Sequence, residues 1–104
     1  MGAVYRKAKR DANEERLVEY LRKIGASVAF IDESGQPDLW VGYCGLNLHI
    51  EVKNGKGKLT PTQKDFIQSW KGIVYIARTY SDCKRAIRSE VLRSRGHIHL
   101  ETVS

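Results

Sequence analysis

Two strand-like runs, Asp38 to Tyr43 and Asn47 to Lys53, flank Cys44-Gly45-Leu46, and the alternation of their side chains leaves few ways to fold them. In the second run Leu48, Ile50 and Val52 take one face, while Glu51 and Lys53 take the other, about 6.7 Å apart along an extended chain. In the first run Leu39, Val41 and Tyr43 oppose Asp38, Trp40 and Gly42. Joining the two apolar faces requires directly paired residue numbers to sum to 89 or 91, so Asp38 stands across from Glu51 or Lys53. Such a hairpin needs a turn of two or four residues, or a bulge.

The remaining chain supplies elements to cover this pair. Residues 1–10 read as a basic N-terminal arm. From Asp11 the spacing of Leu17, Val18, Leu21 and Ile24 predicts a helix over Ala12 to Ile24, with Gly25 as its stop. Ser27 to Ile31 reads as a strand, followed by turn formers from Asp32 to Pro37. Thr60-Pro61-Thr62-Gln63 opens a second helix with an N-cap, a first-turn proline and a capping-box partner. Its apolar face is Phe66, Ile67 and Trp70, and Gly72 is its expected end. The run Ile73 to Ala77 predicts a strand buried on both faces. Ser81 begins a last helix that turns Cys83, Ile87 and Val91 inward and Lys84, Arg85, Arg88 and Arg95 outward, ending at Gly96. His97 to Val103 adds a candidate edge strand. A length of 104 residues is one domain's worth of chain.

Charge separates the halves. Residues 1–52 hold seven basic and eight acidic side chains, and residues 53–104 hold eleven and four, which together give the net +6. A basic half of this kind favours polyanions, nucleic acid first. No apolar run approaches the roughly 20 residues that span a bilayer, and Met1 to Lys7 has no apolar segment after its charges. The expectation is a cytoplasmic protein that does not enter a membrane. Cys44 and Cys83 lack metal-ligand spacing and read as reduced packing residues.

The paired strands bring two carboxylates, Asp38 and Glu51, beside Lys53. Like charges this close repel unless a proton or cation intervenes, and hard oxygen donors without histidine or thiolate favour Mg²⁺ or Mn²⁺. A divalent ion there activates water and neutralises charge on a phosphate, with Lys53 orienting the water or stabilising the transition state. Phosphodiester hydrolysis uses all of these parts.

Pro37-Asp38, a twelve-residue spacer and Glu51-Val52-Lys53 resemble the signature of the PD-(D/E)XK nuclease superfamily. Gly35-Gln36-Pro37-Asp38-Leu39, then Glu51-Val52-Lys53, then Leu59-Thr60-Pro61-Thr62-Gln63 resemble most closely its VRR-NUC (virus-type replication-repair nuclease) branch. The likeness spans roughly residues 11–80. It implies an α/β, restriction-endonuclease-like core: a mixed β-sheet flanked by helices in the order αβββαβ plus a C-terminal helix, with residues 11–104 as one nuclease domain.

The resemblance further implies a carboxylate from the first helix completing the metal set. Glu14, on the inward face, matches better than Glu15; its rival reading is helix capping with Asp11. Gln63 has the same two readings, capping partner of Thr60 or a residue beside the metal cluster. The carbonyl of Val52 is a further expected ligand. The expected activity is a metal-dependent DNA endonuclease acting on branched DNA such as Holliday junctions in replication or repair. Stand-alone members are expected to be homodimers, since two symmetric incisions need two sites.

Lys56 and Lys58 on a flexible loop, and Lys84, Arg85 and Arg88 on the last helix, are the expected backbone contacts. A phosphate-binding Walker loop is excluded, because Ile50 and Val52 stand where its leading glycine must be. His97 and His99 lack a third ligand, and His49 shares the Glu51 face. Trp40 and Trp70 read as core or interface residues, with base stacking the other use. The rival functions are a non-catalytic DNA-binding module, a duplex-cutting restriction-type nuclease, and an RNA endonuclease working through histidine.

Overall fold

A computed structural model of the chain describes residues 11–96. The expected N-terminal arm and the strand at His97 to Val103 lie outside the described residues. Within them the order is α1 (Ala12–Lys23), β1 (Ser27–Phe30), β2 (Leu39–Tyr43), β3 (Leu46–Val52), α2 (Pro61–Ser69), β4 (Val74–Ala77) and α3 (Tyr80–Arg95). This is an α/β arrangement with a four-stranded mixed sheet ordered β1-β2-β3-β4. The first three strands are antiparallel and β4 runs parallel to β3.

The β2–β3 hairpin follows from its side chains. Leu39 pairs with Ile50 and Tyr43 with Leu46, so the paired numbers sum to 89. The turn is then only Cys44-Gly45, whose φ values of 50° and 81° fit a tight turn with two left-handed residues. Cys44 is exposed in that turn, which corrects its reading as a packing residue; Cys83 is fully buried.

Leu39 and Val41 of β2 join Leu48, Ile50 and Val52 of β3 in a core sealed by Leu17, Val18 and Leu21 of α1 and by Cys83, Ala86 and Ile87 of α3. Both of these helices therefore lie on one face of the sheet. α1 starts where Asp11 caps the Glu14 N–H at 2.8 Å, and its C-cap is Ile24, ahead of Gly25 at φ 102°. α3 starts one residue earlier than expected, because Thr79 and Asp82 form a reciprocal capping box.

The opposite face is thinly covered. α2 has no fully buried residue, with Phe66 and Ile67 half-covered and Trp70 exposed, and it ends at Ser69 with Trp70 as its cap rather than at Gly72. Among the described residues β4 is an edge strand, and it is not buried on both faces: Ala77 joins the core, while Ile76 is exposed on the thinly covered side. The apolar run there is continuous in sequence but is not enclosed. Trp40, 51% exposed, and Trp70 likewise are surface residues rather than core.

Candidate functional site

The C-terminal end of β3 collects four of the predicted residues, Asp38, Glu51, Lys53 and Gln63. Glu51 is 2% exposed, and its Oε2 accepts a hydrogen bond from Gln63 Nε2 at 2.7 Å while Lys53 Nζ lies 3.7 Å from the same oxygen. The β2–β3 register carried one step beyond Leu39 and Ile50 sets Asp38 across from Glu51, at a Cβ separation of about 5 Å. Asp38 is 6% exposed, and its Oδ2 accepts from the Val52 N–H at 2.9 Å. Its own carbonyl accepts from Ile31 N–H, which fixes the start of β2 against the end of β1.

Glu14 is buried and Glu15 exposed, as helix periodicity requires. The first turn of α1 is tied to this end of the sheet by Asn13, whose side-chain amide donates to the Lys53 carbonyl at 3.0 Å and the Arg78 carbonyl at 3.2 Å. Asn54 adds a bond from its amide to Asp11. Asn13 was not legible as a site residue, since its partners lie 40 and 65 residues away in sequence.

Gln63 makes the expected capping contact and reaches the Glu51 carboxylate as well. Its Oε1 accepts from Thr60 N–H at 2.9 Å, closing the capping box, while its Nε2 holds Glu51. The helix start is held in turn by the loop before β2. Gly35 has φ 80°, and a Cβ there would lie 2.5 Å from Thr62 Cγ2, so only glycine fits both the backbone and the helix packed on it. The loop containing Gly35 and the start of α2 thus meet in space, and Gln63 of that start holds Glu51.

The loop bearing Lys56 and Lys58 leaves β3 directly after Lys53. It is fastened from beneath by Arg78, whose guanidinium donates to the carbonyls of Gly55 at 3.1 Å and Gly57 at 2.8 Å. Both lysines are exposed. The α3 cations divide differently. Arg85 pairs with Asp82 at 3.1 Å, whereas Lys84 and Arg88 line a groove shared with the C-terminal end of α1. The structure does not bring that pair to the β3 end. His49 lies between Trp40 and Trp70, with ring centroids 6.5 and 5.9 Å away.

Among the described residues no three His, Cys, Asp or Glu side chains converge as a ready-made metal cage. Mg²⁺ needs less than that, since it keeps several waters and is held by one or two carboxylates. Asp38, immediately before β2, and Glu51 of the adjacent β3 are both buried carboxylates and fit such an ion in donor type. No protein-family model, curated protein or solved structure matches the chain. No helix among the described residues is long and apolar enough to cross a membrane.

Proposed function

We propose that this chain is a divalent-metal-dependent DNA endonuclease with a PD-(D/E)XK core of the VRR-NUC kind, acting on branched DNA such as four-way junctions. The observation that carries the reading is the buried pair Asp38, immediately before β2, and Glu51 of the neighbouring β3, with Lys53 and Gln63 both directed at the Glu51 carboxylate. Mg²⁺ or Mn²⁺ would be held by Asp38, Glu51 and the Val52 carbonyl, with Glu14 in support. When bound, the ion supplies positive charge against the phosphate and favours ionisation of water.

The chain's own groups do the rest. Lys53 stands on the Glu51 side and stabilises negative charge developing on a phosphate oxygen, or orients the attacking water. Gln63 keeps Glu51 in one rotamer by donating to a single carboxylate oxygen. Lys56 and Lys58 meet the DNA backbone next to the cleavage point. The molecule works as a homodimer, because two strands of a junction need two sites, and the exposed apolar residues Trp40, Ile73 and Ile76 offer surface for pairing.

The test incubates labelled four-way junction, linear duplex and single strands with the protein in Mg²⁺, Mn²⁺ or EDTA, beside Asp38→Asn and Lys53→Ala. Junction cutting that requires metal and is lost in both variants is the expected result. Metal-independent cutting, or full activity in Asp38→Asn, overturns the mechanism. Binding without cutting in every metal assigns a non-catalytic DNA-binding module instead. A monomer mass by light scattering, with activity intact, ends the dimer proposal.

A further inference from the structure

At the end of the molecule remote from the carboxylates, α1 and α3 diverge over a groove of about 570 Å³. Its floor is Ile24, Ile87, Val91 and Leu92, with the Tyr43 ring at one end. Leu92 is 58% exposed and continues the apolar lining of Ile24, Ile87 and Val91, so the exposed apolar surface here is a contiguous patch and not a lone side chain. Lys84, Arg88 and Arg95 form the rim. Ile24 is ten residues along α1 from Glu14, about 15 Å by helix rise, so an occupant here leaves the β3 end open.

Among the described residues no salt bridge engages the three cations of the rim. The two acids of α3 are engaged elsewhere, Asp82 with Arg85 at 3.1 Å and Glu90 with Arg93 at 3.6 Å and with the Tyr75 hydroxyl at 3.0 Å. Glu15 and Glu19 of α1 line a different groove, with Arg22 and Phe30. An apolar floor flanked by three cations matches a ligand with an apolar stripe bordered by carboxylates. DNA phosphates would satisfy the cations but gain nothing from the floor, and a membrane surface does not enter a concave groove between two helices.

We propose that this groove is a docking site for an acidic amphipathic helix of a partner protein. The apolar anchors of such a helix, spaced at three and four residues, lie between Ile24 and Val91, and its Asp or Glu side chains meet Lys84, Arg88 and Arg95. Rim contacts of this kind steer encounter and weaken with salt, while Leu92 and Ile87 supply the buried apolar centre. This site is independent of the nuclease reading, and neither stands or falls with the other.

The test uses fluorescence anisotropy with a labelled helical peptide of about 16 residues, about 24 Å long, carrying Leu at three- and four-residue spacing and Glu elsewhere. Saturable binding is expected, weakened at least about tenfold when the glutamates are replaced by glutamine, and likewise in Arg88→Glu and Leu92→Glu. Lys64→Glu, the same charge change on α2, is expected to bind as the unaltered protein does. Amide resonances of Ile24, Ile87 and Leu92 should shift on titration. Equal binding of the glutamine peptide, or equal loss in Lys64→Glu and Arg88→Glu, overturns the proposal. So does displacement of the peptide by a DNA duplex that shifts the same resonances, or self-association abolished by Leu92→Glu, which would make the occupant a second copy of this chain.

Discussion

The single side-chain amide of Gln63 closes its own helix and holds Glu51: Oε1 accepts from Thr60 N–H at 2.9 Å and Nε2 donates to Glu51 Oε2 at 2.7 Å. Gln63→Ala removes both bonds and is expected to cost roughly 1–2 kcal/mol of stability. Gln63→Glu keeps the acceptor for Thr60 but places a second carboxylate against Glu51. Urea titrations in chelator should find Gln63→Glu the less stable of the two variants. With Mg²⁺ present the gap should narrow or reverse, because a cation relieves the repulsion. If millimolar Mg²⁺ moves none of the three proteins, the ion does not bind at Glu51.

Asp38 combines a structural and a chemical duty that two substitutions can separate. Its Oδ2 is the acceptor for the buried Val52 N–H at 2.9 Å. Asp38→Ala strands that donor and should cost about 1–3 kcal/mol. Asp38→Asn retains an acceptor oxygen and should stay within about 1 kcal/mol of the unaltered chain, while losing the negative charge that a divalent ion requires. Denaturant midpoints and cleavage rates measured on the same samples decide it. An Asn variant that folds normally and still cuts at full rate shows that Asp38 acts only as a hydrogen-bond acceptor.

What was legible in the chain depended on how local the cause was. The Thr60 cap, the proline after it and the Gln63 partner are all within four residues, and the helix start followed directly. Side-chain parity narrowed the hairpin register to two, with Asp38 against Glu51 or Lys53, and the two-residue turn at Cys44-Gly45 selects the first. The run from Ile73 to Ala77 misled because hydrophobicity reports what a strand can bury, not its place in the sheet. Among the described strands β4 is at the edge, and Ile76 on its outward face is exposed. Nothing local could announce Asn13 or Arg78, whose partners are brought near only by the closing of α1 and β4 onto the end of β3. Similarly, Lys84 and Arg85 are adjacent in sequence yet meet different surroundings, because successive helical positions diverge by about 100°.

Arg78 fastens the lysine-bearing loop through two backbone carbonyls, Gly55 and Gly57, rather than through any acid. Arg78→Ala should therefore loosen the loop while leaving the core intact. Amide exchange at Gly55 to Lys58 is expected to accelerate, with the midpoint of unfolding shifting by about 1 kcal/mol or less. DNA affinity should fall by several-fold and its salt dependence flatten, since a mobile Lys56 and Lys58 neutralise fewer phosphates on average. Arg78→Lys, a point charge without the planar fork, should recover only part of this. Unchanged exchange across the loop in Arg78→Ala would remove its positioning role.

Asp82 gives the fold a measurable acid dependence. The Arg78 N–H holds its carboxyl below the usual 3.8, with the Thr79 N–H and hydroxyl and the nearby Arg85 acting the same way and partial burial opposing them. A carboxylate whose folded value is lowered stabilises the folded state fully above its unfolded value and loses that contribution as the pH falls through the lowered one. Asp82→Asn should thus destabilise the chain by about 1 kcal/mol at pH 7, where the charge also favours the start of α3. Below pH 3.8 the two proteins should converge, as Asp82 takes up its proton. Thermal midpoints from pH 7 to pH 2 provide the comparison. A gap that stays constant across that range would mean that bond geometry at the Thr79 cap, and not the carboxylate charge, holds the helix start.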